Sequence, residues 1–161
     1  MIRPATPADV PAILGFWNPL IETATVGFSP TPHTVDSLTA QIAARQAEGR
    51  AFFVAARDGA VLGFASYDQF RKGLGYARSM EHTIILSEAA RGQGVGRALM
   101  AAIEDHARTR GVHLMVAGVS AENPAGLAFH AAVGYVEAGR IAQAGHKFGR
   151  FIDLVLMQKL L

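Results

Sequence analysis

Residues 81–119, EHTIILSEAARGQGVGRALMAAIEDHARTRGVHLMVAGV, decide the fold of this chain. A short strand-like run at 81–86 leads into a glycine-rich stretch, which opens a helical pattern ending near Arg110. Apolar residues recur every four positions on one face of that helix, at Val95, Leu99, Ile103 and Ala107. A second apolar run follows at 112–119. Strand, crossover helix and parallel strand form a right-handed unit, so an α/β fold is expected.

The sequence on either side of this unit supplies further elements. Thr6-Pro7-Ala8-Asp9 is a helix start, and Asp58-Gly59 is a two-residue hairpin turn. The other predicted elements are helices to about Glu22 and from Thr34 to Gly49, strands at 51–57 and 60–67, a short helix at 123–133, and strands at 138–142 and 151–160. The last strand is nearly continuously apolar, which predicts that it is buried. One domain over residues 1–161 is expected.

Composition excludes several classes of protein. Half of the 161 residues are hydrophobic and 17% are charged, which rules out a disordered chain. The absence of Cys excludes disulfides, thiolate metal sites and a Cys nucleophile. The first residues lack the pattern of a signal peptide, and no apolar stretch reaches the ~20 residues of a membrane span, so we expect a cytoplasmic protein without a membrane partner. Net charge is +2 with scattered cations, which favours a small anionic ligand over a nucleic acid.

The stretch Arg91-Gly92-Gln93-Gly94-Val95-Gly96-Arg97 predicts an anion site. Glycines allow close backbone approach, and the first amides of a helix are unpaired and lie at the positive end of its dipole. A tight turn that needs small residues is the alternative. The GxxxxGK[ST] loop of ATPases is absent, and a dinucleotide fingerprint would follow the first strand of its sheet, whereas this stretch follows the third.

Two motifs carry a resemblance to a known family. The spacing Arg91, Gly94, Gly96 resembles the R/Q-x-x-G-x-G/A loop of the GNAT superfamily of N-acetyltransferases. Residues 123–135, NPAGLAFHAAVGY, look like that family's later motif, N-x-x-A-x-x-F-Y-x-x-x-G-F/Y. The chain also resembles, over nearly its whole length, the phosphinothricin acetyltransferase group, which includes the methionine sulfoximine and sulfone acetyltransferases. The segments that carry this similarity are 2–6, 25–28, 80–83, 129–130 and 144–150.

The resemblance implies the GNAT fold, a mixed central sheet with splayed strands flanked by helices. It implies acetyl-CoA as cofactor, a small amino-acid-like amine as acceptor, and a homodimer. From the residues themselves we expect direct transfer without an acyl-enzyme, since there is no Cys and no Ser–His–Asp order stands out, and no metal, since His33, His106 and His113 lack the spacing of a metal cluster. The cofactor-binding residues that it implies are Ile84, Ile85, Leu86, Arg91, Gly92, Gln93, Gly94, Val95, Gly96, Arg97 and Asn123.

Two residues are the expected catalytic groups. The family's catalytic Glu corresponds to Glu81, which would act as general base; a solvated carboxylate at a strand end is the alternative. His130 stands where most superfamily members carry Tyr, as in the phosphinothricin-type group. An imidazole exchanges protons near neutrality, so His130 would assist the base or protonate the departing thiolate. A histidine packed against the sheet is its alternative.

The acceptor pocket is expected to use residues from three segments. The substrate-binding candidates are Phe28, Arg71, Lys72, Gly73, Tyr76, Glu81, His82 and Thr83. Arg71 would grip a carboxylate, whereas His82, next to Glu81, would point to the opposite sheet face. The motif at 144–150 is expected to close the pocket, without a mechanism evident from its residues.

Alternative functions remain open at this point. Acetylation of a peptide or protein N-terminus would require an open groove in place of a closed pocket. A non-catalytic acyl-CoA sensor would keep Arg91–Gly96 but would not need Glu81 or His130. A nucleotide-binding module would prefer ATP to CoA.

Overall fold

A seven-stranded mixed sheet runs through the protein, and a computed structural model describes all residues, 1–161. The strands are β1 Ile2–Pro4, β2 Phe52–Arg57, β3 Ala60–Gln69, β4 Ser79–Leu86, β5 Leu114–Ser120, β6 Val136–Lys147 and β7 Arg150–Leu160. The helices are α1 Val10–Thr23, α2 Val35–Ala47, α3 Val95–Thr109 and α4 Pro124–Ala132. The strand order is β1-β2-β3-β4-β5-β7-β6, which confirms the α/β fold with a mixed sheet.

The parallel pair at the centre of the sheet is β4 and β5, as the crossover predicts. Only residues 79–81 of β4 pair with β5, at 114–116. By contrast, β4 pairs with β3 without interruption from Met80 to Leu86. The two central strands therefore diverge after Glu81, and this splay opens a space in the middle of the sheet.

Helices cover both faces of the sheet. The predicted face of α3 is buried in a cluster of 18 residues, in which Leu99, Ile103 and Ala107 are completely inaccessible. A second cluster of 8 buried residues joins α1 and α2 to the other face. The Asp58-Gly59 turn has φ of 49° and 81°, as expected of the tight turn that a two-residue hairpin needs.

Three details differ from the sequence expectations. The strand β1 was not predicted, because its three residues lack a measurable alternation. The strand β6 runs from 136 to 147, well beyond the predicted 138–142, since it pairs with β7 around the turn at Phe148 and Gly149. The predicted burial of 151–160 is wrong for Phe151 and Leu160, which are 64% and 61% exposed, and for Asp153, which is also exposed; only Ile152, Val155 and Met157 are buried. None of the helices has the length and apolar character needed to cross a membrane.

Candidate active site

A cavity of about 360 Å³ lies where β4 and β5 diverge. Its walls come from α1, the loop after α1, β4, β5 and α4. The lining residues are Trp17, Leu20, Ile21, Val26, Gly27, Phe28, Ser29, His33, Glu81, His82, Thr83, Ile84, Ile85, Leu86, Gly118, Val119, Asn123 and His130. Both predicted catalytic residues and five consecutive β4 residues after Glu81 are thus brought to one site.

The splay leaves backbone groups of β4 without a strand partner. The carbonyl of Ser79 accepts from the amide of Phe70 on the β3 side, whereas the carbonyl of Arg78 accepts from Leu114 on the β5 side. Because successive residues alternate and the β3 register is regular, the backbone groups of even-numbered residues face β5. Those of Ile84 and Leu86 lie beyond the last β5 pair and are free to bind an extended ligand.

The Glu81 carboxylate accepts no hydrogen bond from the protein and lies against Gly118. A Cβ at position 118 would stand 3.3 Å from Oε1 of Glu81. Partial burial in the cavity raises the pKa of Glu81, and the nearby charge of Asp68 raises it further. Asp68 is itself paired with Arg45 and Arg50, and it raises the pKa of Glu81 less than burial does. The arrangement leaves a carboxylate of raised basicity open to an incoming amine.

His82 and His130 form a buried pair on the other side of β4. Nδ1 of His130 lies 2.7 Å from the carbonyl oxygen of Gly126, which can only accept, so Nδ1 carries the proton. The neutral ring then has its lone pair on Nε2, which lies 3.1 Å from Nε2 of His82. His82 therefore donates from Nε2, and its buried Nδ1 has no partner. As predicted, His82 and Glu81 lie on opposite faces of the strand.

Burial keeps both imidazoles neutral at pH 7. Desolvation and, to a smaller extent, the neighbouring His130 together lower the pKa of His82 to about 3. Desolvation also lowers the pKa of His130, although its bond to Gly126 opposes this shift. His130 occupies the last turn of α4, where the helix dipole favours a positive charge. Of the two rings, His130 is therefore better placed to hold an added proton.

The glycine-rich stretch forms the N-terminus of α3, beside the same cavity. Gly92 and Gly94 have φ of 71° and 73°, a conformation that a side chain would strain. The first helical amides, those of Val95, Gly96 and Arg97, have no acceptor in the protein. A smaller cavity of about 110 Å³ is lined by residues that include Gln93, Gly94, Val95 and Arg57. The free amides of 95–97, the exposed backbone of the two glycines and the cation of Arg57 together suit an anionic group.

Gly96 connects this stretch to the main cavity. An ideal Cβ there would lie 3.0 Å from Phe129 and 3.1 Å from the side chain of Leu86. Leu86 lines the main cavity, so a ligand can run from the β4 backbone to the amides of α3. At the far wall, Asn123 caps α4 by accepting from the amide of Gly126 at 2.9 Å.

Four predicted acceptor residues lie outside the cavity lining. Arg71, Lys72, Gly73 and Tyr76 are exposed on the loop between β3 and β4. The guanidinium of Arg71 lies 5.3 Å from the centre of the Tyr76 ring. Their part in acceptor binding stays a prediction.

Several cavity residues were not singled out from the sequence. They are Trp17, Leu20, Ile21, Val26, Gly27, Ser29, His33, Gly118 and Val119. Gly118 had a usable signal, since a glycine inside an apolar strand often marks a close approach. The apolar α1 residues had none, because a pocket wall and a core face follow the same helical period. Across residues 1–161, no group of three or more His, Cys, Asp or Glu is placed to hold a metal ion.

Comparisons with known proteins agree on one family. The model of the acetyltransferase (GNAT) family matches residues 17–135. An L-methionine sulfoximine/L-methionine sulfone acetyltransferase of Pseudomonas paraeruginosa is 36% identical over 98% of this chain and 92% of its own length.

Two solved structures extend the comparison over the full chain. A phosphinothricin acetyltransferase from Sinorhizobium meliloti, solved in complex with acetyl-CoA, is 28% identical with a TM-score of 0.93, covering 100% of this chain and 88% of its own. A ribosomal-protein-alanine N-acetyltransferase from Brucella melitensis is 39% identical with a TM-score of 0.95, covering 100% and 99%.

Proposed function

The chain belongs to the GNAT family of acetyltransferases, which use acetyl-CoA, and we propose that its acceptor is the amine of a small L-amino acid or a close analogue. The observation that carries this proposal is the free carboxylate of Glu81 in a cavity bordered by unpaired backbone of β4. The names of the Pseudomonas and Sinorhizobium relatives supply the acceptor class, phosphinothricin or methionine sulfoximine and sulfone.

The residues at the splay and at α3 fit acetyl-CoA. The free amides of Val95, Gly96 and Arg97 suit its pyrophosphate, with Arg91, Gly92, Gln93 and Gly94 forming the approach. The free backbone groups of Ile84 and Leu86 suit the amide-containing arm, whereas the backbone of Ile85 faces β3, and Asn123 lies at the opposite wall. When bound, the thioester supplies an acetyl carbon that is open to attack by an amine.

Glu81 is the proposed general base. An α-amino group has a pKa of about 8, so roughly a tenth is neutral at pH 7 and deprotonation is opposed by only about 1.4 kcal/mol. Holding the amine against the acetyl carbon therefore contributes at least as much as removing its proton. Glu81 performs both roles, because its free carboxylate both accepts a hydrogen bond from the amine and takes its proton.

His130 is the proposed second proton-exchanging group. Its Nδ1 proton is committed to Gly126, so only Nε2 can gain or lose a proton. In the neutral pair Nε2 accepts from His82, so it can protonate the departing thiolate only after taking up a proton itself. The amine nitrogen, which loses a proton as the amide forms, is the proposed source of that proton. Backbone N–H groups of β4 that face the splay polarise the acetyl carbonyl.

In this proposal the acceptor is recognised by side chains that line the cavity and by a cation that binds its carboxylate. Phe28 and Thr83 border the cavity beside Glu81. Arg71, on its exposed loop together with Lys72, Gly73 and Tyr76, would bind the acceptor's carboxylate. His82 would contribute through its pairing with His130.

The proposal includes a homodimer in the cytoplasm, the compartment that contains acetyl-CoA. The strand β6 forms an edge of the sheet, and β6, β7 and the turn between them carry exposed apolar side chains. Ile141 is 48%, Phe148 55% and Phe151 64% exposed. A second copy of this chain, related by two-fold symmetry, is the proposed occupant of that surface.

Acetylation of a peptide N-terminus is the second candidate. It is favoured by the 39% identity to the relative named ribosomal-protein-alanine N-acetyltransferase. Against it stands the wall that the loop after α1 forms over the cavity, which suits a small acceptor better than a chain.

The test is thiol release from acetyl-CoA with phosphinothricin, methionine sulfoximine, methionine sulfone, the common amino acids and a peptide beginning with alanine. Release with a small amino acid, together with a gain of one acetyl group in its mass, is the expected result. Release with the peptide alone would replace the first candidate by the second. Tight CoA binding without release on any acceptor would contradict both.

A further inference from the structure

Lys147 is a buried cation that no carboxylate neutralises. Its side chain is on β6, with only 2% of the residue exposed, and no Asp or Glu lies within ion-pair distance. Desolvation lowers its pKa. Burying such a charge is unfavourable unless it forms strong hydrogen bonds, so its position calls for a structural reason.

The side-chain hydrogen bonds of Lys147 both go to the segment after α1. Nζ donates to the carbonyl of Ala24 at 2.6 Å and to that of Gly27 at 3.0 Å. Residues 25–32 form no backbone–backbone hydrogen bond, so side chains must hold them in place. We call residues 24–29 the wall segment, because four of them line the cavity: Val26, Gly27, Phe28 and Ser29.

Two further contacts tie the wall segment to the same hairpin. The Phe28 ring lies directly on Gly145, where an ideal Cβ would stand 2.5 Å from a ring carbon. Arg150 is paired with Glu122, whose carboxylate also accepts from the Thr25 hydroxyl at 2.9 Å. The turn at 148–149 sets Lys147 and Arg150 opposite one another, so one hairpin supplies all three contacts.

We infer that Lys147 is a positioning residue that selects the acceptor by holding the wall segment, and with it Phe28, against the cavity. This inference rests on the proposed function for its enzymatic readout. The Lys147 side chain forms no hydrogen bond with β4 or with the N-terminus of α3, the two elements proposed to hold the cofactor. Loss of the ammonium should therefore weaken acceptor binding and discrimination while leaving acetyl-CoA binding intact.

The experiment compares Lys147→Met with Arg140→Met. Both remove one cation from β6, but Arg140 is exposed and bonded only to Glu137 on its own strand. For Lys147→Met we expect the acceptor KM to rise about ten- to hundred-fold, the size typical of lost hydrogen bonds to a charged group. The acetyl-CoA KM should stay within about two-fold of wild type, and the kcat/KM ranking of acceptors should flatten.

Two additional measurements keep the inference testable if Lys147→Met folds poorly or no acceptor is found. Gly145→Ala keeps the ammonium but displaces Phe28, and should raise the acceptor KM in the same way. Amide hydrogen exchange should become faster at 24–29 in Lys147→Met, relative to Arg140→Met, without a change in β4.

The outcomes separate the two proposals. A wild-type enzyme that acetylates no small amino acid contradicts the proposed function. Faster exchange confined to 24–29 in Lys147→Met would still support the role of Lys147 in holding the wall segment. An active wild type whose acceptor KM and ranking are unchanged by Lys147→Met overturns the inference. An equal rise in the acceptor KM and the acetyl-CoA KM, with unfolding at lower temperature, also overturns it, because that pattern indicates a general structural role.

Discussion

His82 and His130 meet through their Nε2 atoms, 3.1 Å apart, and the bond from His130 to Gly126 determines which of them donates. The pair is buried in the cavity wall, on the opposite face of β4 from Glu81. Two neutral imidazoles at this position make the protein sensitive to acid, because the folded state disfavours the protonated rings.

Replacing His82 by Gln should reduce the loss of stability in acid. The folded-state pKa of His82, about 3, lies below its ordinary value of 6.5, so protons bind the unfolded chain more readily between these limits. Each such group lowers the free energy of unfolding by about 1.4 kcal/mol per pH unit as pH falls below about 6. Urea unfolding of both proteins at pH 7, 6 and 5 measures the difference, and parallel pH dependences would contradict it.

Glu81→Gln should slow turnover at pH 7 by about 10²–10⁴-fold, with partial recovery at high pH where the amine is already neutral. Wild-type activity should fall as pH drops through the raised pKa of Glu81, and the variant should lack that acidic limb. Steady-state kinetics across pH measure both effects. Activity of the variant equal to wild type at neutral pH would remove Glu81 from the mechanism.

The same substitution should stabilise the fold at neutral pH. Since the folded state raises the pKa of Glu81, it favours the protonated form, and the ionised carboxylate is unfavourable above that pKa. Glu81→Gln should therefore melt at a higher temperature than wild type at pH 7. The gain should vanish at pH 4, below the raised pKa, where the wild-type carboxyl is also neutral.

Asn123 has a structural and a proposed binding role that two variants separate. Asn123→Ala removes the cap on α4 and should lower the free energy of unfolding by about 1 kcal/mol. Asn123→Asp keeps the capping oxygen and should retain wild-type stability. Both should raise the acetyl-CoA KM if the amide nitrogen contacts the cofactor, and an unchanged KM in Asn123→Asp would exclude that contact.

The same substitution at two glycines should have opposite effects. Gly94 has φ of 73°, so Gly94→Ala should destabilise the protein by about 1 kcal/mol and raise the acetyl-CoA KM. Gly15 is exposed inside α1, and an ideal Cβ there would have no atom within 4 Å, so Gly15→Ala should stabilise by about 0.5–1 kcal/mol. Thermal unfolding of the two variants is sufficient, and shifts of equal sign would contradict this prediction.

Local patterns in the chain were enough to predict the framework. The Asp58-Gly59 turn, the Thr34 cap and the four-residue spacing from Val95 to Ala107 each depend on neighbours in sequence, and the structure confirms them. The glycine spacing in 91–97 likewise predicted a helix opening with free amides. Such features follow from steric and hydrogen-bond rules that act within a few residues.

The extent of β6 and the exposure of β7 could not be predicted in this way. Both depend on what lies beside each strand: Phe151 pairs only with β6 and Leu160 only with β5, and both side chains are exposed. An apolar side chain has the same identity whether a helix covers it or not. Burial of a strand face is therefore a property of the assembled sheet.

By itself the sequence determined the α/β order, the crossover, the family and the identity of Glu81 and His130 as candidates, since these depend on local period and motif spacing. Tertiary structure alone decided that His82 pairs with His130, that Gly118 admits the Glu81 carboxylate, and that Lys147 reaches the wall segment 120 residues earlier in the chain. The physical reason is that hydrogen bonds and steric clearance depend on distances of a few ångströms between atoms. The number of residues between two positions in the chain does not specify those distances.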